Sequence, residues 1–161
     1  MEQVGLRPAS SADRPFLAQV YATTRAEELA LVPWTEEQKA RFVAHQFEAQ
    51  DAHYRTHYGD GTFDVIEVDG EPAGRLYVHR GPSEIRIVDI TLAPAFRGRG
   101  LGTRLLRALI DEAEDRGCKL SIHVEMNNPA QRLYERLGFR PAGEHGVYRL
   151  MERPCYVNTA S

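Results

Sequence analysis

Apolar residues change their period several times along this chain, and each change marks an element. Val4 and Leu6 alternate with polar neighbours and stop at Arg7-Pro8, which predicts a short first strand. Phe16, Leu17, Val20 and Tyr21 then fall at helical spacing behind Ser11 and Asp13, either of which can cap the helix. Thr35 followed by Glu36, Glu37 and Gln38 predicts a second helix start, with a hydroxyl cap and acids in the first turn. That helix runs through Phe42, Phe47 and Tyr54 to about Tyr58, before Gly59-Asp60-Gly61. Phe63 to Val68 reads as a strand, Asp69-Gly70 as a hairpin turn and Ala73 to His79 as the returning strand. After Gly81-Pro82, Glu84 to Leu92 alternates Ile85 and Ile87 with Glu84 and Arg86, and Pro94 ends it. Gly100 to Arg116 carries Leu101, Leu105, Leu106, Leu109 and Ile110 on one stripe, closed by Gly117. Leu120, Ile122 and Val124 form a further strand. Asn127 or Asn128 caps a last helix with Pro129 at its first position and Gly138 at its end. Phe139 and Val147 to Met151 complete the sheet as two final strands, and Cys155 to Ser161 reads as a frayed tail.

This order is α/β with a mixed sheet: a meander first, then strand–helix–strand crossovers. No repeat or linker divides it, so residues 1–154 read as one domain and 155–161 as a tail. The length of 161 residues suits that reading, and 42% hydrophobic with 27% charged residues excludes a disordered chain. A formal net charge of -3 speaks against a general nucleic-acid binder. Two cysteines, Cys118 and Cys155, make neither a disulfide framework nor a zinc quartet. No segment approaches a membrane span, and Met1 to Leu6 does not have the form of a secretory leader. A cytoplasmic protein with no membrane and no nucleic-acid partner is expected.

The chemistry concentrates in the stretch from Asp89 to Thr103. A strand ends there, and a glycine-dense loop opens an amphipathic helix. Gly98, Gly100 and Gly102 remove side chains where backbone must approach a ligand. The amides from Gly98 to Thr103 join the helix's first unpaired N–H groups, and the helix dipole adds positive potential. In physical terms this is a pyrophosphate site, with Arg97, Arg99 and Arg104 able to add charge-assisted bonds. The glycines sit at every second residue, so the dinucleotide pattern G-x-G-x-x-G is absent, and no Gly-Lys-Ser/Thr ends the loop.

A second block follows a strand: Asn127-Asn128-Pro129-Ala130-Gln131-Arg132-Leu133-Tyr134, then Gly138-Phe139. Together the two blocks resemble the GNAT superfamily of acetyl-CoA-dependent N-acetyltransferases. Arg97 to Gly102 is similar to that family's Arg/Gln-x-x-Gly-x-Gly/Ala loop, and Leu133-Tyr134 with Gly138-Phe139 to its Leu-Tyr…Gly-Phe block. The resemblance is strong from about Phe63 to Met151. It implies a mixed central sheet of about six to seven strands, splayed between the fourth and fifth, flanked by about four helices. It implies acetyl-CoA as cosubstrate, with Ile90 and Leu92 pairing with the pantetheine arm. A bulge near Asp89 to Thr91 would aim an N–H at the thioester oxygen. The amides of Gly98, Arg99, Gly100, Leu101, Gly102 and Thr103 would hold the pyrophosphate, and Asn127 or Asn128 would stand at the family's Asn. Tyr134 would be the general acid that meets the departing thiolate.

The proton acceptor stays open between His123, Glu84 and ordered water. A lysine-like amine titrates near ~10.4, so something must deprotonate it, and an imidazole near ~6.5 is suited to neutral pH. That favours His123 slightly over Glu84. In the family the first two helices cover the acceptor end of the cleft, which makes Trp34, Phe47, Gln50, Tyr54 and His57 candidate contacts. Arg75 and Arg86 could bind an acidic acceptor group or face solvent. His53 and His57 are four apart but lack a third ligand, so no metal is expected. Cys118 reads as a small core residue. The implied reaction moves acetyl from acetyl-CoA to a primary amine of a small molecule by direct attack in a ternary complex. The alternatives are protein N-terminal or lysine acetylation and an idle acyl-CoA sensor. Family members often dimerise, which leaves a homodimer open.

Overall fold

The computed structural model describes residues 2–126 and 128–155. Seven strands form one mixed sheet in the order β1-β2-β3-β4-β5-β7-β6. They are β1 (Val4–Pro8), β2 (Thr62–Val68), β3 (Glu71–Arg80), β4 (Glu84–Leu92), β5 (Lys119–Glu125), β6 (Arg140–His145) and β7 (Tyr148–Arg153). The helices are α1 (Arg14–Ala30), α2 (Glu36–His57), α3 (Leu101–Arg116) and α4 (Gln131–Arg136). The expected mixed sheet and helix order are therefore present, with β4 and β5 parallel. The chain divides into two compact units, residues 2–76 with 90–97 and residues 77–89 with 98–155, so β3 and β4 each contribute to both.

In the first unit, β1 and β2 pair antiparallel from Val4↔Val68 to Pro8↔Asp64. The α2 start is the expected capping box: the Gln38 amide donates to Thr35 Oγ1 at 3.1 Å, and the Thr35 amide donates to Gln38 Oε1 at 2.9 Å. The α1 entry differs from the simple cap. Ser11–Asp13 forms a single 3-10 turn, and the Asp13 carboxylate accepts from the Ser10 amide and from both terminal nitrogens of Arg7. Leu17, Tyr21, Leu29, Val43, Phe47 and Val65 make this unit's core.

One close approach governs the same unit. Gly74 in β3 lies so near the end of β4 that a Cβ there would overlap the Thr91 carbonyl oxygen and come within 3.0 Å of the Leu92 Cα. The Ala93 amide donates to the Ala73 carbonyl at 2.7 Å beside it. Backbone meets backbone at this point, and no side-chain adjustment can make room.

In the second unit, α3 buries Leu101, Leu105, Leu106, Leu109 and Ile110 and packs on β5. The apolar stripe read from the sequence is thus the buried face. β5 pairs with β7 over six positions, from Leu120↔Arg153 to Glu125↔Tyr148, and its ladder with β4 covers four, from Glu84↔Lys119 to Ile87↔Ile122. Among the described residues no helix is long and apolar enough to cross a membrane.

Gly74→Ala is expected to destabilise the protein by about 1–3 kcal/mol, the range for forced overpacking. At roughly 2–4 °C per kcal/mol, a thermal melt should show a fall of several degrees. A variant melting with the wild type would contradict the close approach.

Candidate active site

The residues singled out in the sequence fall on both units, and each unit is built by its own local rules. In the first, Ile90, Thr91 and Leu92 are half-buried at the end of β4. Arg97 turns back on this strand end: Nε donates to the Leu92 carbonyl at 2.9 Å, and a terminal nitrogen donates to Thr23 Oγ1 of α1 at 3.1 Å. Its guanidinium is thereby anchored as well as charged.

In the second unit the loop opens α3. Gly98 and Gly100 have φ of 75° and 76°, the left-handed region that side chains disfavour. The first helical bond runs from the Arg104 amide to the Gly100 carbonyl at 3.1 Å, so the amides of Leu101, Gly102 and Thr103 have no intrahelical acceptor. Gly98, Arg99 and Gly100 are exposed. Gly102 is different: its φ is not positive, and a Cβ there would meet nothing within 4 Å. Neither backbone conformation nor packing asks for glycine at this position of the first turn. What remains is access to the backbone from outside.

Tyr134 is 6% exposed on the short helix α4. The helix ends in a Schellman motif that explains the Leu-Tyr…Gly-Phe spacing physically. The Phe139 amide donates to the Tyr134 carbonyl at 3.0 Å, and the Gly138 amide to the Glu135 carbonyl at 3.1 Å. Gly138 takes φ 98°, and Phe139 packs edge-on against Tyr134 with ring centroids 5.6 Å apart. The motif clamps the phenol. Burial, with Asp89 of β4 adding a smaller effect, pushes the hydroxyl up to about 12, so it stays protonated through the neutral range.

Pro129 does not open α4. The helix begins at Gln131, and Asn128 instead organises a turn, its Oδ1 accepting from the Ala130 amide at 2.8 Å. The Asn128 side chain thus closes a turn instead of capping a helix that starts at Pro129. Asn127 lies outside the described residues.

Glu84 and His123, proposed as rivals, belong to one polar cluster. Arg86 joins them: Nε donates to Ser121 Oγ at 2.6 Å, and its terminal nitrogens reach His123 Nδ1 at 3.1 Å and Glu84 Oε2 at 3.3 Å. Ser121 Oγ donates to Glu84 Oε2 at 2.7 Å. A guanidinium only donates, so His123 Nδ1 accepts and the neutral ring carries its proton on Nε2. Burial, then Arg86, then His145 at a ring-centroid distance of 5.9 Å hold His123 below the usual imidazole range, against a small opposing pull from Glu84. Burial would raise the Glu84 carboxyl, but Ser121, Arg86 and Lys119 together hold it below its ordinary value. Sequence reasoning missed this cluster as a unit. Its signal was parity: residues 84 and 86 share one face of β4, as 121 and 123 share one face of β5.

The candidate acceptor wall divides. Phe47 is a core residue at 2% exposure, while Trp34 is 41% exposed with Phe42 edge-on at 5.2 Å. Gln50 Oε1 accepts from Arg75 at 2.8 Å. Arg75 does not face solvent as the sequence allowed; it is 2% exposed, and its guanidinium lies 5.8 Å from the Tyr21 ring centroid. His57 Nδ1 donates to the His53 carbonyl at 3.0 Å, and among the described residues no three His, Cys, Asp or Glu gather as a metal site. Cys118 is buried, as read.

Residues 24–139 match the family model described as Acetyltransferase (GNAT) family. The chain belongs to the GNAT acetyltransferase family. GNAT enzymes draw their acyl group from acetyl-CoA, and this chain is an acetyltransferase of that kind. It is 33% identical over 113 residues to a Bacillus subtilis (strain 168) protein named as a candidate [ribosomal protein bS18]-alanine N-acetyltransferase, covering 69% of this chain and 67% of that one. It is 34% identical over 125 residues to the streptothricin acetyltransferase of Streptomyces lavendulae, covering 67% of this chain and 62% of that one. Its fold is similar to the PaiA N-acetyltransferase of Thermoplasma acidophilum solved with coenzyme A. The TM-score is 0.69 at 16% identity, covering 94% of this chain and 99% of that one.

Arg86→Gln should raise the His123 pKa toward the ordinary ~6.5, because one facing cation is removed. Titrating the imidazole proton shifts by NMR would read this directly, and an unchanged or lower value would refute the contact. Since the folded chain takes up this proton less readily than the unfolded one, the His123 contribution to stability is present above about pH 6.5. It is lost as the pH falls below that value.

Proposed function

We propose that this GNAT enzyme transfers acetyl from acetyl-CoA to a primary amine of a small molecule by direct attack in a ternary complex. The observation that carries the reading is Tyr134, a clamped and protonated phenol at the family's general-acid position. The amine nitrogen attacks the thioester carbonyl carbon, and the C–S bond breaks as the tetrahedral intermediate collapses. A thiolate near ~8.5 is a weaker base than a phenolate near 12. Tyr134 therefore acts mainly by donating a hydrogen bond to the departing sulfur, and solvent completes the protonation.

The remaining roles follow the resemblance. Ile90 and Leu92 pair with the pantetheine, and an N–H near Thr91 meets the developing oxyanion. The backbone from Gly98 to Thr103 cradles the pyrophosphate, with Arg97 and Arg99 adding charge and Asn128 shaping the turn before Tyr134. Gly102, glycine without a fold reason, supports that cradle. His123 accepts the amine proton once Arg86 leaves Nδ1; Glu84 and ordered water are the alternatives. We place the enzyme in the cytoplasm, where its two unpaired cysteines stay reduced.

A protein N-terminus is the second reading of the acceptor, favoured by the name of the Bacillus relative. Thiol release from acetyl-CoA with a panel of small amines, lysine and N-terminal alanine peptides separates the readings. Turnover on small amines is expected. Turnover confined to peptides would transfer the assignment to proteins, and acetyl-CoA binding without turnover on any amine would leave a sensor.

Tyr134→Phe should lower kcat by roughly 10-fold to 10²-fold with acetyl-CoA affinity little changed. Because the phenol titrates near 12, wild-type kcat should show no falling limb assignable to Tyr134 from about pH 8 to pH 10. Wild-type turnover in the variant, measured where chemistry limits the rate, would remove the hydroxyl from the mechanism. Gly100→Asp should weaken acetyl-CoA strongly, since a carboxylate would enter the pyrophosphate cradle at a left-handed position. Calorimetry on the folded variant checks this, and unchanged affinity would sink the phosphate assignment.

A further inference from the structure

His123, the proton acceptor of the proposed reaction, has no lone pair to offer as it stands. Its Nδ1 accepts from a terminal nitrogen of Arg86 at 3.1 Å, and Nε2 carries the proton of the neutral ring. The guanidinium must give up this bond before the imidazole can take a proton. It can do so without leaving its place. Nε stays on Ser121 Oγ at 2.6 Å, and the other terminal nitrogen on Glu84 Oε2 at 3.3 Å. Ser121 is fully buried, and its own bond to Glu84 at 2.7 Å closes the brace. The contact to His123 is thus the movable end of a guanidinium held at its other two nitrogens.

The place of the cluster says what draws that bond away. Arg86 stands one residue before the last β4–β5 pair, Ile87↔Ile122, and His123 one residue beyond it, so the two side chains meet where the ladder ends. The Arg86 side chain is 17% exposed, and His123 is exposed, so an incoming molecule reaches both. Asp89, which acts on the Tyr134 hydroxyl, lies three residues further along β4, about 10 Å away. A carboxylate competes well with a neutral imidazole for a guanidinium, because it brings charge and two oxygens. Glu84 already balances much of the Arg86 charge, which favours a monoanion over a dianion. We propose that the acceptor amine carries a carboxylate a few bonds from its nitrogen, and that Arg86 selects it. This names the acceptor class for the small-amine reading, with His123 as base, and rests on that reading. On binding, the Arg86 terminal nitrogen passes from Nδ1 to the carboxylate, and Nδ1 takes the ammonium proton. The imidazolium so formed lies between Glu84 and the acceptor carboxylate, and returns its proton to solvent after the product leaves. An uncharged amine offers nothing in exchange and finds the ring blocked.

The test is kcat/KM on the whole chain for a panel of α- and β-amino acids, each against its own amide and counted per free amine. The wild type should prefer the carboxylate member by about tenfold or more, the scale of a hydrogen bond to a charged group. In Arg86→Gln the pair should converge from both sides, the amino acid slowing and the amide speeding up because Nδ1 is open without a trigger. Arg86→Lys, which keeps the charge but not the fork, should retain part of the preference. Equal slowing of both members in Arg86→Gln would make Arg86 a brace only and overturn the proposal. A second reading needs no variant: the acetylated product of the best amino acid should shift the His123 Nδ1 resonance of the wild type, and its amide should not. An unmoved resonance would also overturn the proposal. Turnover of uncharged amines without preference would overturn it and leave the small-amine reading standing, whereas no turnover on any amine would overturn both.

Discussion

Four residue pairs join β4 to β5 in parallel, and the ladder ends at Ile87↔Ile122 while β5 continues with β7 to Glu125↔Tyr148. β5 thus stays with its antiparallel partner after it has left its parallel one. Parallel pairing is slightly the weaker per residue, which is where a sheet gives way at least cost. The Glu84–Arg86–Ser121–His123 cluster of the second unit is arranged on this short ladder. The shared register sets Arg86 beside Ser121, and from there the guanidinium reaches Glu84 and His123. Just past the last pair, Asp89 acts on the Tyr134 hydroxyl.

Much of this was legible in the sequence because local rules decide it. The loop glycines announced themselves, since left-handed backbone at Gly98 and Gly100 has few other solutions. The Leu-Tyr…Gly-Phe spacing is a helix-ending motif before it is a functional one: the residue after the glycine must be apolar to meet the residue that carries the acid. The α2 start and the α3 stripe are equally local, one a reciprocal cap and the other a repeat of leucines.

Register and competition were not legible. Nothing within either strand states that residue 86 will sit opposite residue 121, so Glu84 and His123 read as rivals when they are members of one network. The α1 entry was misread because Arg7, on a neighbouring strand, claims the carboxylate that would otherwise cap the helix. Pro129 was expected to open α4, but the Asn128 side chain takes the Ala130 amide and delays the helix to Gln131. Arg75 gave no sign of burial, because its cover comes from α2 through Gln50 and from the Tyr21 ring on α1. In each case a competing partner, near in sequence for Pro129 and distant for Arg75 and the Arg86 cluster, outbid the simplest local reading.

The chain has a single tryptophan, and its position gives the molecule an optical property. Trp34 stands between α1 and α2, half in solvent and edge-on to Phe42. An indole so placed emits from a partly aqueous environment, and its emission colour and quenching report the α1–α2 connection alone. The tyrosines, in contrast, are spread through both units, from Tyr21 to Tyr134 and Tyr148. Excitation selective for indole therefore watches one corner of the first unit against a background that is otherwise dark, and any acceptor settling there would change the light without a label being added.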